Sequence, residues 1–301
     1  MAAVVTPGQT AAVPVSATLA GTGWRRGNFF AVIALPGVIA IVALFIVPLF
    51  MVLLRSVTDP GPENFAAALS SPVFQKSLWT TVQMALVVTA LCVVFSYPYA
   101  IVMARSGPVM LMVLLACLMF AFWTSSLVRT YAWKILLNNT GIINTALVDW
   151  GVIPEPLPLI GGNFAIYIGM MQILMPYTIL TLYAQMRGIP DDLEMAAQTM
   201  GARPLSAFFR VTFPLSLPGA AAGGLLVFVI ALGFYITPQL LGNPREVYVG
   251  SSIVQNFDAL LQPGVGAAQS VVLLLLALII LLGIGRFVGI GKILGVGGRT
   301  R

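Results

Sequence analysis

Charge is absent from long stretches of this chain, and those gaps constrain its fold more than any other feature of the sequence. Six charge-free apolar windows stand out: Phe29–Leu54, Ser77–Ala104, Ser106–Val128, Pro156–Met186, Val211–Pro244 and Ala259–Gly285. Each exceeds the ~20 residues needed to cross the hydrocarbon core of a bilayer. A Lys, Arg or Asp at the centre of such a helix costs about 2.5–3.5 kcal/mol on the insertion scale, so lipid selects for gaps of this kind. Only 8% of the 301 residues are charged, 59% are hydrophobic, and the mean hydropathy is +1.00. A soluble domain carries roughly 25% charged residues, so this surface is built for lipid. The sequence predicts an all-α membrane protein of six spans. Arg105-Ser106-Gly107-Pro108 makes the tight turn between the second and third.

Other absences narrow the chemistry. The chain has no histidine, which excludes His-dependent triads, His proton relays and His-ligated metals. Cys92 and Cys117 lie in apolar stretches and offer neither a disulfide framework nor a zinc spacing. Residues 1–28 read as a mobile tail, rich in Ala, Thr, Ser, Pro and Gly and without the compact apolar region of a secretory signal. Residues 29–77 form the first span and an outer loop, 78–286 the main transmembrane domain, and 287–301 a second tail.

With the N-terminus inside, the inner side carries ten Lys or Arg residues and the outer side five, while the acids run three to six the other way. Positive residues favour the cytoplasmic face, so both termini are expected in the cytoplasm, and the pI near 9.6 follows from topology without invoking nucleic acid. Pro36, Pro48, Pro98, Pro176 and Pro238 fall inside the windows. A proline in lipid frees a carbonyl that neighbours or water must satisfy, which suits packed, kinked helices or helices lining a cavity.

The inner connection between the fourth and fifth windows, residues 188–218, is the most informative segment. Pro190-Asp191-Asp192 is a good helix start, because carboxylates are favoured at a helix N-terminus. Leu193, Ala196, Ala197 and Met200 share one helical face, and Gly201 can end the helix with a positive φ. Pro204 suits the start of a second helix marked by Leu205, Phe208 and Phe209, which Pro214 and Pro218 should stop before the next span. Such a helix–bend–helix either fills a groove in a partner or lies on lipid; Asp191, Asp192 and Glu194, with no base beside them, suit an anionic lipid surface poorly.

The spacing Ala196-Ala197-x3-Gly201-x9-Val211-x-Phe213-Pro214 resembles the EAA loop of permease subunits in ATP-binding-cassette importers. Further stretches, among them Tyr97-Pro98-Tyr99-Ala100, Phe122 to Trp133, Leu136 to Gly141, Met175-Pro176-Tyr177 and Pro238 to Gly242, resemble the spermidine/putrescine branch of that family. The resemblance implies the type I importer fold with cytoplasmic coupling helices, in a bacterial inner membrane. It also implies a second permease (a homologous but different chain), two ATPase subunits that bind ATP and Mg, and an extracytoplasmic solute-binding protein. Glu194, Ala196, Ala197, Gly201, Val211 and Pro214 would then couple to the ATPase, and no cofactor would bind this chain itself. Gly289-Ile290-Gly291-Lys292-Ile293 lacks the spacing and the Ser/Thr of a phosphate loop.

Two departures from the family pattern stand out. Met195 holds the place of the Glu before the Ala pair, with Glu194 one residue earlier, and one residue is about 100° around a helix. The fifth span reads Gly233-Phe234-Tyr235 and Pro238-Gln239 where the family often places acids. Trp123, Tyr131, Trp133, Tyr177, Tyr235 and Gln239 are candidates for the path of a polyamine or related amino compound, since aromatic faces hold ammonium groups. Each serves equally as an interface anchor or a packing residue. A self-contained ion-coupled carrier is the alternative, although such carriers place ionisable groups at midplane and often show internal repeats. An intramembrane enzyme finds neither a serine–histidine dyad nor an acid pair here, and a structural scaffold is the remaining class.

Overall fold

The computed structural model describes residues 23–288, and every regular element among them is helical. The predicted phosphate-loop look-alike, the tail beyond residue 288 and the first 22 residues of the N-terminal tail lie outside the described residues; residues 23–28 already belong to the first helix. The chain divides into two compact units, 1–51 and 52–301. The helix α1 (Gly23–Thr58) begins in the first unit, carries Pro36 and Pro48, and is apolar enough to cross a membrane over Ala34–Thr58.

The second unit continues through α2 (Glu63–Ser70), α3 (Pro72–Arg105), α4 (Pro108–Trp123), α5 (Ser126–Leu136), α6 (Ile142–Asp149) and α7 (Asn163–Arg187). After α7 come α8 (Asp191–Thr199), α9 (Pro204–Ala207), a π-helical turn (Phe208–Thr212) and α10 (Phe213–Leu232). The chain then forms α11 (Ile236–Leu241), α12 (Val249–Asp258) and α13 (Pro263–Val288). Five helical stretches are long and apolar enough to cross a membrane, and counting the bent pair α4–α5 as one span gives the six expected. Prolines at the starts of α3 and α4 sit where a missing N–H costs nothing, and Ser71 caps α3 by accepting from the Phe74 N–H.

The bent pair corrects the third predicted span. The chain turns by 93° at Thr124–Ser125, so α4 ends at Trp123 and α5 leaves on a different axis. At 1.5 Å per residue α4 is about 24 Å long. The fifth window is corrected likewise: the spanning helix stops at Leu232, and Pro238 falls in the separate short helix α11.

α3, α7 and α10 form the centre of the second unit, around Val88, Met170, Leu174, Val227, Phe228 and their neighbours. Without a hydrophobic effect between helices in lipid, such a centre depends on close backbone approach at small residues. α10 supplies them. A Cβ on Gly219 would meet Gln185 Cβ, and one on Gly223 would meet Thr181 Oγ1 and, at 3.0 Å, the Thr178 backbone. Gly223→Leu is expected to destabilise the fold by about 1–3 kcal/mol, the usual cost of overpacking. It will show as a lower thermal midpoint in detergent, with Gly223→Ala falling between.

At the end opposite α8, polar groups tie the short helices down. The Val249 N–H donates to Thr81 Oγ1 at 3.0 Å, and Gln269 Oε1 accepts from Ser252 Oγ and Asn256 Nδ2. Cys92 is buried and Cys117 exposed, and both are free.

Candidate functional site

The predicted helix–bend–helix forms where it was expected, at the connection between α7 and α10. α8 begins after Pro190 with Asp191, Asp192 and Glu194 in its first turn, matching the positive end of the helix dipole. It closes in a Schellman arrangement. The Gly201 N–H reaches Gln198 O at 2.9 Å, and the Ala202 N–H reaches Ala197 O at 3.1 Å. Gly201 takes φ +91°, which Gly adopts without strain.

α8 buries none of its residues. Leu193, Met195 and Met200, the last 89% exposed, project away from the rest of the chain, as do Leu205 and Phe209 beyond the bend. Ala196 is exposed and Ala197 half-buried. The apolar face inferred from the spacing is therefore present, and among the described residues nothing covers it.

Glu194 behaves differently. Its Oε2 accepts from Arg105 at the end of α3 at 2.5 Å and from Thr212 Oγ1 in the π-turn at 2.7 Å. The Glu194 side chain is 14% exposed and that of Arg105 50%. This carboxylate turns inward, while Met195 next to it points out. Arg105 and Thr212 were missed by sequence reasoning: Arg105 read only as a topological charge, and 89 residues separate it from Glu194. Beneath the start of α8 the same residues line a cavity of about 180 Å³ with Arg187 and Asp191.

The second half of the loop corrects an expectation. Pro214 and Pro218 do not stop a helix before the span; α9, the π-turn and α10 run on as one helical stretch, Pro204–Leu232. A π-turn lies just ahead of the first proline. The Phe213 N–H reaches back five residues to Phe208 O, and this wider ring widens the helix just ahead of Pro214, which lies in the first turn of α10. Val211 is half-buried within the turn. Phe208, Phe209 and Phe213 cluster there, with Phe213 packing on Tyr97 of α3 at 5.4 Å between ring centroids. Ser216 gives its proton to Phe213 O, so Tyr97 donates to Ser216 Oγ at 3.1 Å.

The predicted path residues are only partly brought together. The Trp133 indole N–H donates to Gln172 Oε1 at 2.9 Å, joining α5 to α7, and Tyr177 meets Phe122 edge-on at 5.1 Å, joining α7 to α4. Tyr235 and Gln239 lie on the α11 segment, which α5 holds through a Thr237–Thr130 hydroxyl bond of 3.1 Å. Tyr235 packs against the backbone of Gly250, and Gln239 is exposed. Tyr131 is exposed on α5, and Trp123, 91% exposed at the end of α4, stands apart from the rest. Phe234 packs against the central apolar cluster.

Comparisons with known proteins agree with this architecture. Residues 97–288 match the family described as binding-protein-dependent transport system inner membrane component. The spermidine/putrescine transport system permease protein PotB of Haemophilus influenzae is 35% identical over 65% of this chain and 68% of its own length. PotB of Escherichia coli K12 is 34% identical over 73% of this chain and 80% of its own. Among solved structures, a chain of the bacterial alginate ABC transporter, in complex with its pentasaccharide-bound periplasmic protein, superposes with a TM-score of 0.67. It is 17% identical, covering 87% of this chain and 94% of that one. The chain thus belongs to the inner-membrane components of binding-protein-dependent transport systems, and it is a permease subunit of an ABC importer with the type I fold.

Proposed function

We propose that this permease forms half of the translocation path for a polyamine or related amino compound, and that residues 188–218 couple it to a separate ATPase. Permeases of this family work with an ATPase and a solute-binding protein, generally alongside another permease subunit. In this reading the second permease is a homologous but different chain, two ATPase subunits bind ATP and Mg, and this chain holds no nucleotide. Both termini and α8 face the cytoplasm.

The observation that carries the coupling role is α8 itself. It is a short helix with no buried residue, anchored from below through Glu194 and presenting Met195 and Met200 outward. Exposed apolar side chains on an anchored helix suit a groove in a partner. Ala196 and Ala197 let that partner come close, Gly201 sets the bend, and Val211 and Pro214 lie on the segment that carries the displacement into α10. An ATPase that closes on ATP would then bias a two-state bundle by a differential contact at α8. The solute class rests on the PotB relatives, with Trp133, Tyr177 and Tyr235 supplying aromatic faces and Trp123, Tyr131 and Gln239 the exposed remainder.

Three measurements test the reading. An alkaline phosphatase reporter is expected to be active when fused at Asn139 and silent at Gly201; the reverse pattern would place the coupling loop on the wrong side. Uptake into sealed vesicles should require ATP and survive collapse of the proton gradient, whereas an ion-coupled carrier would stop. The ligand retained by the co-purifying binding protein should be a polyamine or a related amine, and a sugar or an oxyanion there would overturn the solute class.

A further inference from the structure

Among the described residues, two cavities of about 500 Å³ each lie along the long helices, and their walls differ. The one between α3, α10 and α13 is apolar, with Thr89 its only polar side chain. The other lies between α3, α4, α5 and α7, and Tyr99, Cys117, Trp133, Gln172 and Pro176 form part of its wall. Small-molecule sites occupy ~300–1,000 Å³ and combine apolar walls with a few convergent polar groups, which describes the second cavity and not the first.

Interrupted backbone borders the second cavity on two sides. Trp133 lies on α5, beyond the 93° bend from α4, and Pro176 interrupts α7 near its middle. Such breaks at membrane depth are tolerated where they are buried in protein or line a cavity, and transporter solutes bind at broken helices near the midplane. Proline has no N–H, so the carbonyl of Gln172, four residues earlier, loses its usual helical donor. The side-chain oxygen of the same residue accepts from the Trp133 indole N–H at 2.9 Å and keeps a second lone pair. The Tyr99 hydroxyl gives its proton to Leu114 O at 2.8 Å and likewise keeps lone pairs. Against these three acceptors, only the Gln172 amide and the weak Cys117 thiol are left as donors on the wall, and no charged residue lines it.

We propose that this cavity is a solute subsite that takes one primary ammonium end of the transported amine. Gln172 O, Gln172 Oε1 and the Tyr99 hydroxyl accept its N–H groups, and the indole of Trp133, fixed by its bond to Gln172, offers a π face beside them. The apolar walls, among them Leu118, Met171 and Met175, take the methylene chain. This rests on the amine reading above and deepens it. None of the nine acidic residues lies in a long helix, so within this chain a cation at that depth is met by dipoles and aromatic faces, as carbonyl oxygens meet cations in channel filters. A carboxylate solute would find no cation on the wall, and a sugar too few donors.

Cys117 supplies the readout, because it is exposed and stands on the same wall. The experiment uses the complete reconstituted importer, with Cys92→Ala in this chain, and follows modification of Cys117 by a small methanethiosulfonate reagent through the mass of the chain. Saturating 1,4-diaminobutane should slow that modification at least tenfold. The diol of equal length, which lacks the charge, should slow it less than twofold. Failure of the importer to take up any amine would overturn the solute class proposed above, and this site with it. Amine uptake with Cys117 unprotected, or with Cys117 unreactive even without solute, would overturn the site alone. Equal protection by the diol would show a lodging for any apolar chain, a lipid tail included, and would also refute the proposal.

Gln172→Leu should raise the half-protecting concentration of 1,4-diaminobutane at least tenfold while leaving the unprotected rate at Cys117 within about twofold. That variant also releases the Trp133 indole, so Pro176→Ala provides an independent measure. It restores the N–H that closes on Gln172 O, withdraws that acceptor without touching Trp133, and should raise the same concentration at least threefold. Unchanged protection in either variant overturns the role assigned to Gln172.

Discussion

Gly201→Trp is expected to leave the permease in the membrane and in its complex while lowering uptake at least tenfold, with ATP hydrolysis continuing. The physical reason is local. Among the described residues, chain neighbours aside, no atom lies within 4 Å of the point where a Cβ at Gly201 would stand, so a side chain there starts into open space, where the proposed ATPase contact would lie. The backbone adds a smaller penalty. At φ +91° a side chain costs roughly 1–2 kcal/mol in the left-handed region, enough to weaken the Schellman closure of α8 but not the fold of a 301-residue chain. Gly201→Asn separates the two effects, because Asn tolerates that conformation and adds little bulk; it should transport near the wild-type rate. Proteoliposomes assayed for ATP hydrolysis and solute uptake on the same preparation decide the matter. Uptake at wild-type rate by Gly201→Trp would sink the coupling role of the bend.

The second large effect is expected from Glu194→Ala. One carboxylate oxygen holds α8 to two elements distant in sequence, through Arg105 and through Thr212, which is 8% exposed. Its removal leaves the Thr212 hydroxyl without its acceptor. Hydrogen bonds to a charged group contribute about 1.5–3 kcal/mol, and the Arg105 part is discounted because its head is half in solvent. α8 should loosen without unfolding the bundle, seen as faster amide exchange over residues 191–201 and a roughly tenfold loss of uptake. Arg105→Ala should do less, and the double variant should be no worse than Glu194→Ala alone, since both act through one carboxylate. Unchanged exchange over α8 in Glu194→Ala would show that the anchor lies elsewhere.

The charge-free gaps located the long helices because lipid imposes one dominant rule, and α3, α7, α10 and α13 all fall within or just around their windows. What the gaps could not locate were breaks between equally apolar segments. The bend at Thr124–Ser125 lies in a run with neither Gly nor Pro, and α11 is hidden in the same window as α10. In the 188–218 loop, helix start, apolar face and left-handed glycine were all legible, since each is a short-range property. The two prolines misled: Pro214 falls in the first turn of α10, where a missing N–H costs little, and Pro218 is accommodated inside that helix, while the π-turn ahead of them lies beside the packing of Phe208 and Phe213 near Tyr97 of α3. The inward turn of Glu194 was equally hidden: its consequence depends on a guanidinium that the fold delivers from the end of α3.

The unbroken run from Pro204 to Leu232 makes residue count, and not only residue type, a mechanical parameter of this permease. Each residue added to or removed from a helix rotates everything beyond it by about 100° and shifts it by 1.5 Å. A single deletion within Phe208–Thr212 can be absorbed by converting the wide turn into ordinary helix, whereas one within α10 would turn its glycine-lined side out of phase with the rest of the bundle. The short link Ala202–Arg203, lying between two helices, can absorb an added residue without that penalty. Length changes in this family member should therefore be tolerated at the Ala202–Arg203 link and, as single deletions, in the wide turn, and rejected within Phe213–Leu232.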